Sequence, residues 1–185
     1  MKIGVISDTH GSVDAWERAI NGPFRDMDLI IHAGDILYHG PRNPFPQGYK
    51  GNDLADAINS SKIPILVTKG NCDSAVDQAV LRVPIQTPYL FLQLEGLRIM
   101  ATHGDDLSDE DMVNLAEQYG VKLLIHGHTH VPRLLIRKGH IILNPGSPSL
   151  PKQEDSIPTV AVVEGDTIRI VSLDTNEIID ETLIE

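Results

Sequence analysis

Apolar residues in this chain come in short, often β-branched runs separated by stretches with helical spacing, and that alternation predicts an α/β fold. Lys2 to Ser7 reads as a buried strand, Asp14 to Ile20 as a helix with Ala15, Ala19 and Ile20 on one side, and Leu29 to Ala33 as a second strand. A helix over Asp53 to Ile58 and a strand over Ile63 to Thr68 continue the series. A β-helix-β order indicates parallel strands joined by helical crossovers. The pattern then changes: Tyr89 to Leu94 and Leu97 to Thr102, joined through Glu95-Gly96, read as a hairpin with a two-residue loop. Ser108 to Tyr119 is the best-marked helix, with Ser108 and Asp111 spaced for a cap and Gly120 to end it. Further strands are expected at Lys122 to Ile125, Leu134 to Arg137, His140 to Leu143, Thr159 to Val163, Thr167 to Leu173 and Ile178 to Ile184. The order fits two packed mixed β-sheets flanked by helices. No repeat, low-complexity tract or linker divides the chain, so residues 1–185 are expected to form a single domain.

Five short polar blocks interrupt the apolar runs where strands give way to glycine or turns. They are Asp8-Thr9-His10, Gly34-Asp35, Gly70-Asn71-Cys72-Asp73, His103-Gly104 and Gly127-His128-Thr129-His130. Each carries Asp, His or Asn, side chains that bind metal through oxygen or imidazole nitrogen. The intervals from Asp8 to Asp35, Asn71, His103 and His128 are 27, 36, 32 and 25 residues, about one strand-crossover-strand unit each. In open α/β sheets ligands bind beyond the carboxyl ends of strands, and these residues all fall at such ends. Tyr38 to Gly51 is different: three prolines and three glycines exclude regular structure, and a loop of that length often borders a binding site.

Composition narrows the partners. The chain is 41% apolar and 22% charged, an ordinary globular balance. A formal net charge of −11 disfavours non-specific nucleic-acid binding and anionic membrane surfaces. One cysteine permits no internal disulfide and suits a reducing compartment. No signal-peptide pattern or membrane-length apolar run is present, so a cytoplasmic location is expected.

The ordered blocks Asp-x-His, Gly-Asp, Gly-Asn-x-Asp, His-Gly and Gly-His-x-His resemble the calcineurin-like metallophosphoesterase superfamily. His39-Gly40-Pro41-Arg42-Asn43, the Gly-Asn-Cys-Asp block and Asn144-Pro145-Gly146-Ser147 resemble in particular its small bacterial YfcE-type phosphodiesterases. A single block is weak evidence; five in order, all at expected strand ends, are strong. The resemblance implies two divalent metal ions about 3.5–4 Å apart. Asp8, His10 and His130 would hold the first, Asn71, His103 and His128 the second, and Asp35 would bridge them beside a bridging hydroxide. Imidazole-rich N/O ligation points to Mn first, with Zn, Fe or Ni as alternatives to it and Mg behind. Two divalent ions outweigh the two carboxylates and the hydroxide, so an acidic protein can still attract an anionic substrate.

Other residues take roles by the same resemblance. Cys72 stands where many members have a His thought to protonate the leaving group, and with an unperturbed pKa of ~8.5 it matches that role poorly. Its presence favours aryl or otherwise activated diesters. Asp73 is expected beside it, orienting a neighbour. His39 and Arg42 are candidates to meet the substrate, while His32, His126 and His140 carry no assignment, and Asn144 to Ser147 reads as a turn. The expected activity is hydrolysis of a small phosphodiester by the bridging hydroxide. Alternatives are a phosphomonoesterase or nucleotide pyrophosphatase on the same site, or a protein-interaction scaffold like Vps29, whose sign would be lost ligand residues. No His-x-His-x-Asp-His block supports a metallo-β-lactamase-type hydrolase. The loop and hairpin edges are compatible with a homo-oligomer.

Overall fold

The computed structural model describes residues 1–185 as four layers, helix–sheet–sheet–helix. The first sheet contains β1 (Lys2–Ile6), β2 (Leu29–His32), β3 (Ile65–Thr68), β4 (Ile85–Gln86), β10 (Thr159–Glu164), β11 (Thr167–Ser172) and β12 (Ile178–Leu183), in the order β12-β11-β10-β1-β2-β3-β4. The second contains β5 (Leu90–Leu94), β6 (Leu97–Ala101), β7 (Leu123–Ile125), β8 (Arg133–Arg137) and β9 (His140–Asn144), in the order β5-β6-β7-β9-β8. Strands β1 to β4 run parallel, as do β6, β7 and β9, and the remaining neighbours are antiparallel. Two mixed sheets are thus what the alternation of elements predicted.

Period-2 alternation builds the layers. Ile3 and Val5 of β1, Ile31 of β2 and Ala161 and Val163 of β10 face Ile99, Leu123, Ile125, Ile141 and Leu143 of the other sheet. The intervening residues point outward. Ile6, Ile30, Val160 and Val162 pack with Trp16 and Ala19 of α1 (Val13–Asn21) and with Leu54 and Ile58 of α2 (Gly51–Asn59). Met100, Leu124 and Ile142 pack with Met112, Val113 and Ala116 of α4 (Asp109–Tyr119). Both sheets are covered on both faces, which is why their central strands read as continuous apolar runs.

The helix expected to begin near Ser108 does so with a reciprocal capping box between Ser108 and Asp111, and Gly120 closes it in the left-handed conformation. Two elements carry no apolar pattern to read. Helix α3 (Ala75–Val80) buries only Asp77 and is defined by a Ser74–Asp77 capping box, and β4 has two residues. No helix is long and apolar enough to cross a membrane.

The parallel strands deliver their carboxyl ends to one pole of the sandwich. Backbone hydrogen bonds continue past the strands there: Asp8 N–H to Gly34 O and His10 N–H to Asp35 O at 3.0 Å, and Gly127 N–H to His103 O at 3.0 Å. The pole is stitched within and between loops before any side chain acts. Close packing under β1 is a direct check on the layering. A Cβ on Gly4 would lie 2.8 Å from the fully buried Phe24 ring. Gly4→Ala should therefore cost about 1–3 kcal/mol, read as a lowered urea midpoint with an unchanged denaturant slope.

Candidate metal centre

Asp8 follows β1, Asp35 follows β2, Asn71 follows β3, His103 follows β6 and His128 follows β7, so five of the parallel strands converge on one cluster. Asp8, His10, Asp35, His128 and His130 all adopt positive φ, from 46° to 68°. Left-handed backbone at a non-glycine residue costs roughly 1 kcal/mol or more, and Asp and His tolerate it better than most. Five of the seven candidate ligands are held in it, which is the mark of a strained, over-determined site. Gly34 is required by close approach as well as by its φ of 96°: a Cβ there would lie 2.6 Å from Gly70 N and 2.9 Å from His103 Nδ1.

The donor atoms meet without protons between them. His10 Nε2 and His130 Nε2 are 3.2 Å apart. Their Nδ1 atoms face the carbonyls of Tyr38 at 2.8 Å and Leu150 at 2.6 Å. A carbonyl only accepts, so each Nδ1 carries the hydrogen and each Nε2 presents a lone pair. Burial lowers the basicity of both rings, His130 to about 4. Asp8 is wholly buried, and its Oδ1 has no hydrogen-bond partner while lying 3.3 Å from His130 Nε2 and 3.7 Å from His10 Nε2. Burial pushes its carboxyl up to about 7. Two imidazole lone pairs beside one orphaned oxygen fit a cation.

The second half is more open. Asn71 is exposed and His128 half-buried, whereas Asp8, His10 and His130 are buried. Asn71 Oδ1 lies 3.1 Å from His103 Nε2 and 2.9 Å from His128 Nδ1. His103 Nδ1 donates to Ala33 O at 2.8 Å, so its Nε2 faces the cluster. Asp35 Oδ2 sits between the halves, 3.6 Å from His10 Nε2 and 3.4 Å from His103 Nε2. Burial opposes charge on both members of the His103–Asp35 pair. Their hydrogen bond and mutual attraction overcome it, raising His103 to about 9 and holding Asp35 well below the usual carboxylate range. A proton on His103 therefore supplies positive charge beside Asp35.

The structure brings all seven candidate ligands together, and it separates the other assignments. Asp73 sends both oxygens to backbone N–H groups, Asp35 and Gly70 on one and Ile36 on the other, at 2.7–2.9 Å. It locks the turns that carry Asp35 and Asn71. Cys72 donates its backbone N–H to Asp35 Oδ1 at 2.7 Å, and its Sγ groups with the donor atoms of His10 and Asp35. Burial, and then the Asp35 charge, push its thiol up to about 12. His39 lies in an aromatic cluster with Tyr38, Phe45 and Tyr49. Arg42 is exposed and makes no hydrogen bond or ion pair.

Residues without an assignment from sequence turn out to be struts. His32 Nε2 donates to Thr9 Oγ1 at 2.9 Å while its Nδ1 accepts from Gly34 N–H at 3.2 Å, tying two ligand loops together. Ser147 and Ser149 both donate to Asp8 O, and Asn144 Nδ2 holds Gly127 O at 2.8 Å and Thr129 Oγ1 at 3.0 Å. The Asn144 to Ser147 segment is thus a clamp on two ligand blocks as well as a turn. Its signal in the sequence was the motif itself, read for its turn residues alone.

His32 gives a prediction with a definite sign. Burial lowers it from 6.5 to about 3, so between those values the unfolded chain binds a proton that the folded chain refuses. Its contribution to stability is full above 6.5 and is lost as pH falls toward 3. Urea midpoints of the metal-free protein should fall more steeply from about pH 7 to about pH 4 than those of His32→Gln. Parallel curves would contradict this.

Comparison with known proteins agrees with the geometry. The calcineurin-like phosphoesterase superfamily domain matches residues 1–167. The chain is 34% identical over 186 residues to the phosphodiesterase YfcE of Escherichia coli K12, covering 100% of this chain and 98% of that protein. It is 27% identical to the probable metallophosphoesterase YsnB of Bacillus subtilis, over 97% of this chain and 96% of that one. The solved structure of the E. coli phosphoesterase YfcE superposes with a TM-score of 0.86 at 31% identity, covering both chains fully. A Vps29 mutant from Entamoeba histolytica superposes with a TM-score of 0.72 at 18% identity, again over both full chains, which is a likeness of fold alone. With the family match running through every ligand block, the chain belongs to the calcineurin-like phosphoesterase superfamily, a family of phosphoric ester hydrolases.

Proposed function

We propose that this chain is a metal-dependent phosphodiesterase that works with two divalent ions, Mn foremost. The observation that carries the reading is the convergence of the His10 and His130 lone pairs on the unpartnered Asp8 Oδ1. Asp8, His10 and His130 would hold one ion, Asn71, His103 and His128 the other, with Asp35 Oδ2 between them. Bound there, the ions would generate the nucleophile from water and neutralise charge on the phosphoryl oxygens during in-line displacement.

The chain's own groups set the conditions. Carbonyls of Tyr38, Ala33 and Leu150 fix the imidazole tautomers, so His10, His103 and His130 each offer Nε2. Asp73 and the Asn144 clamp hold the loops in strained backbone, so the donor atoms need not reorganise when a substrate arrives. The open side at Asn71 and His128 admits the ester, while the buried side at Asp8 keeps water from competing for those donors. Cys72, whose Sγ lies beside His10 and Asp35, stands in the place of the leaving-group acid, and a thiol pushed up to about 12 gives its proton up reluctantly. That favours leaving groups that need little protonation, such as aryloxides. A small phosphodiester is the substrate class that fits, in an acidic protein acting in the cytoplasm.

Asp35→Asn tests the reading. The amide keeps an oxygen for the Cys72 N–H, so the fold should survive. Changing an outer partner of a ligand commonly costs 10–100-fold, and losing the carboxylate between the ions should cost at least about a hundredfold in rate. Mn-reconstituted wild type should hydrolyse bis-p-nitrophenyl phosphate in preference to p-nitrophenyl phosphate. Preference for the monoester would favour a phosphomonoesterase, and near-native activity in Asp35→Asn would sink the assignment.

A further inference from the structure

Two flanks border the cluster, and their chemistry differs. On the Asn71 side runs an open cavity of about 320 Å³, lined by polar groups including Lys69, Asn71, Thr87, Asp105 and Asp106. On the His10 side lies the loop from Tyr38 to Gly51, and three contacts tie it to the cluster. Tyr38 O accepts from His10 Nδ1, the Tyr49 ring lies against Gly11 beside His10, and Gly40 rests on Cys72, where a Cβ would meet Sγ at 3.0 Å.

This loop carries an aromatic stack left in water. The Phe45 ring is 67% exposed, yet it is held in place, 4.2 Å from the His39 ring centroid and 4.9 Å from that of Tyr49. Tyr38, 42% exposed, closes edge-on against His39 at 4.7 Å. The loop is pinned at its far end as well, by Ser12 Oγ to Gln47 O and by Lys50 N–H to Gly11 O. A large ring braced by its neighbours and turned to solvent is a preformed stacking face, which costs little ordering entropy on binding.

We infer that the exposed Phe45 face, backed by His39 and Tyr49, seats a planar aromatic group of the ester, an aryl or nucleobase arm, while the phosphoryl group lies at the metal cluster. The inference rests on the phosphoesterase reading of that cluster and adds the substrate's organic class. The planar arm belongs on this flank because the opposite cavity is mostly polar, with Asp105 and Asp106 beside Lys69, and the one aromatic ring that lines it, Tyr89, already packs against Phe91 and Tyr119. Stacking tolerates any flat ring, so the face selects planarity and not one base.

The test measures binding, independent of turnover. Mn-loaded protein is titrated calorimetrically with phenylphosphonate and methylphosphonate, which share the anion and differ in the ring. Wild type should bind the phenyl compound about tenfold more tightly, an advantage lost in Phe45→Ala and kept in Phe45→Trp. Phe91→Ala removes another exposed aromatic, on β5 in the second sheet, and should leave the advantage intact. Equal affinities in wild type, or an advantage that survives Phe45→Ala, would overturn the inference. Diester hydrolysis without planar preference would leave the phosphoesterase reading standing. Planar preference without hydrolysis would do the reverse.

Discussion

Everything at the active pole follows from an excess of acceptors. Four imidazole nitrogens, two carboxylates and an amide oxygen crowd together, several of them buried. Such a cluster is electrostatically unstable on its own, because buried lone pairs repel and buried charge is expensive. Without an ion, a proton on His103 held between Asp35 and Asp8 offsets part of the cost. The architecture around the pole is what keeps the acceptors from drifting apart.

That architecture works at two scales. Each sheet brings parallel strands to the same pole, so five loops arrive together, and the inter-sheet core of Val5, Ile31, Ile99, Leu123 and Ile125 fixes their spacing. Within the loops, left-handed backbone turns Asp8, His10, Asp35, His128 and His130 inward. The strain is held by Asp73 on three backbone amides, by His32 between two loops, and by Ser147 on Asp8 O. Stability is given up at the pole and recovered in the apolar layers, a division common to functional sites.

Much of this was legible in the chain, for physical reasons. Buried strands announce themselves as β-branched runs, and a charged or imidazole residue directly after such a run has no packing role to explain it. The Glu95-Gly96 hairpin was readable because both positions need positive φ. Helix α3 was not, since Val76 and Val80 face water and its only buried residue is Asp77. The struts were hidden for another reason. His32, Asn144 and Ser147 act through backbone atoms of residues distant in sequence, and nothing in local spacing reveals such a partner. Asp73 is the contrary case: its place in the motif suggests an orienting role, and it holds the backbone amides of Asp35, Ile36 and Gly70.

The central claim is that the crowded acceptors are a two-ion site. Mn content per chain after equilibrium dialysis of the metal-stripped protein, measured by mass spectrometry of the metal, addresses it most directly. The account predicts two ions per chain, the first held more tightly at the buried Asp8, His10 and His130 half. A single ion, or none at Mn concentrations that saturate ordinary imidazole–carboxylate sites, would contradict it.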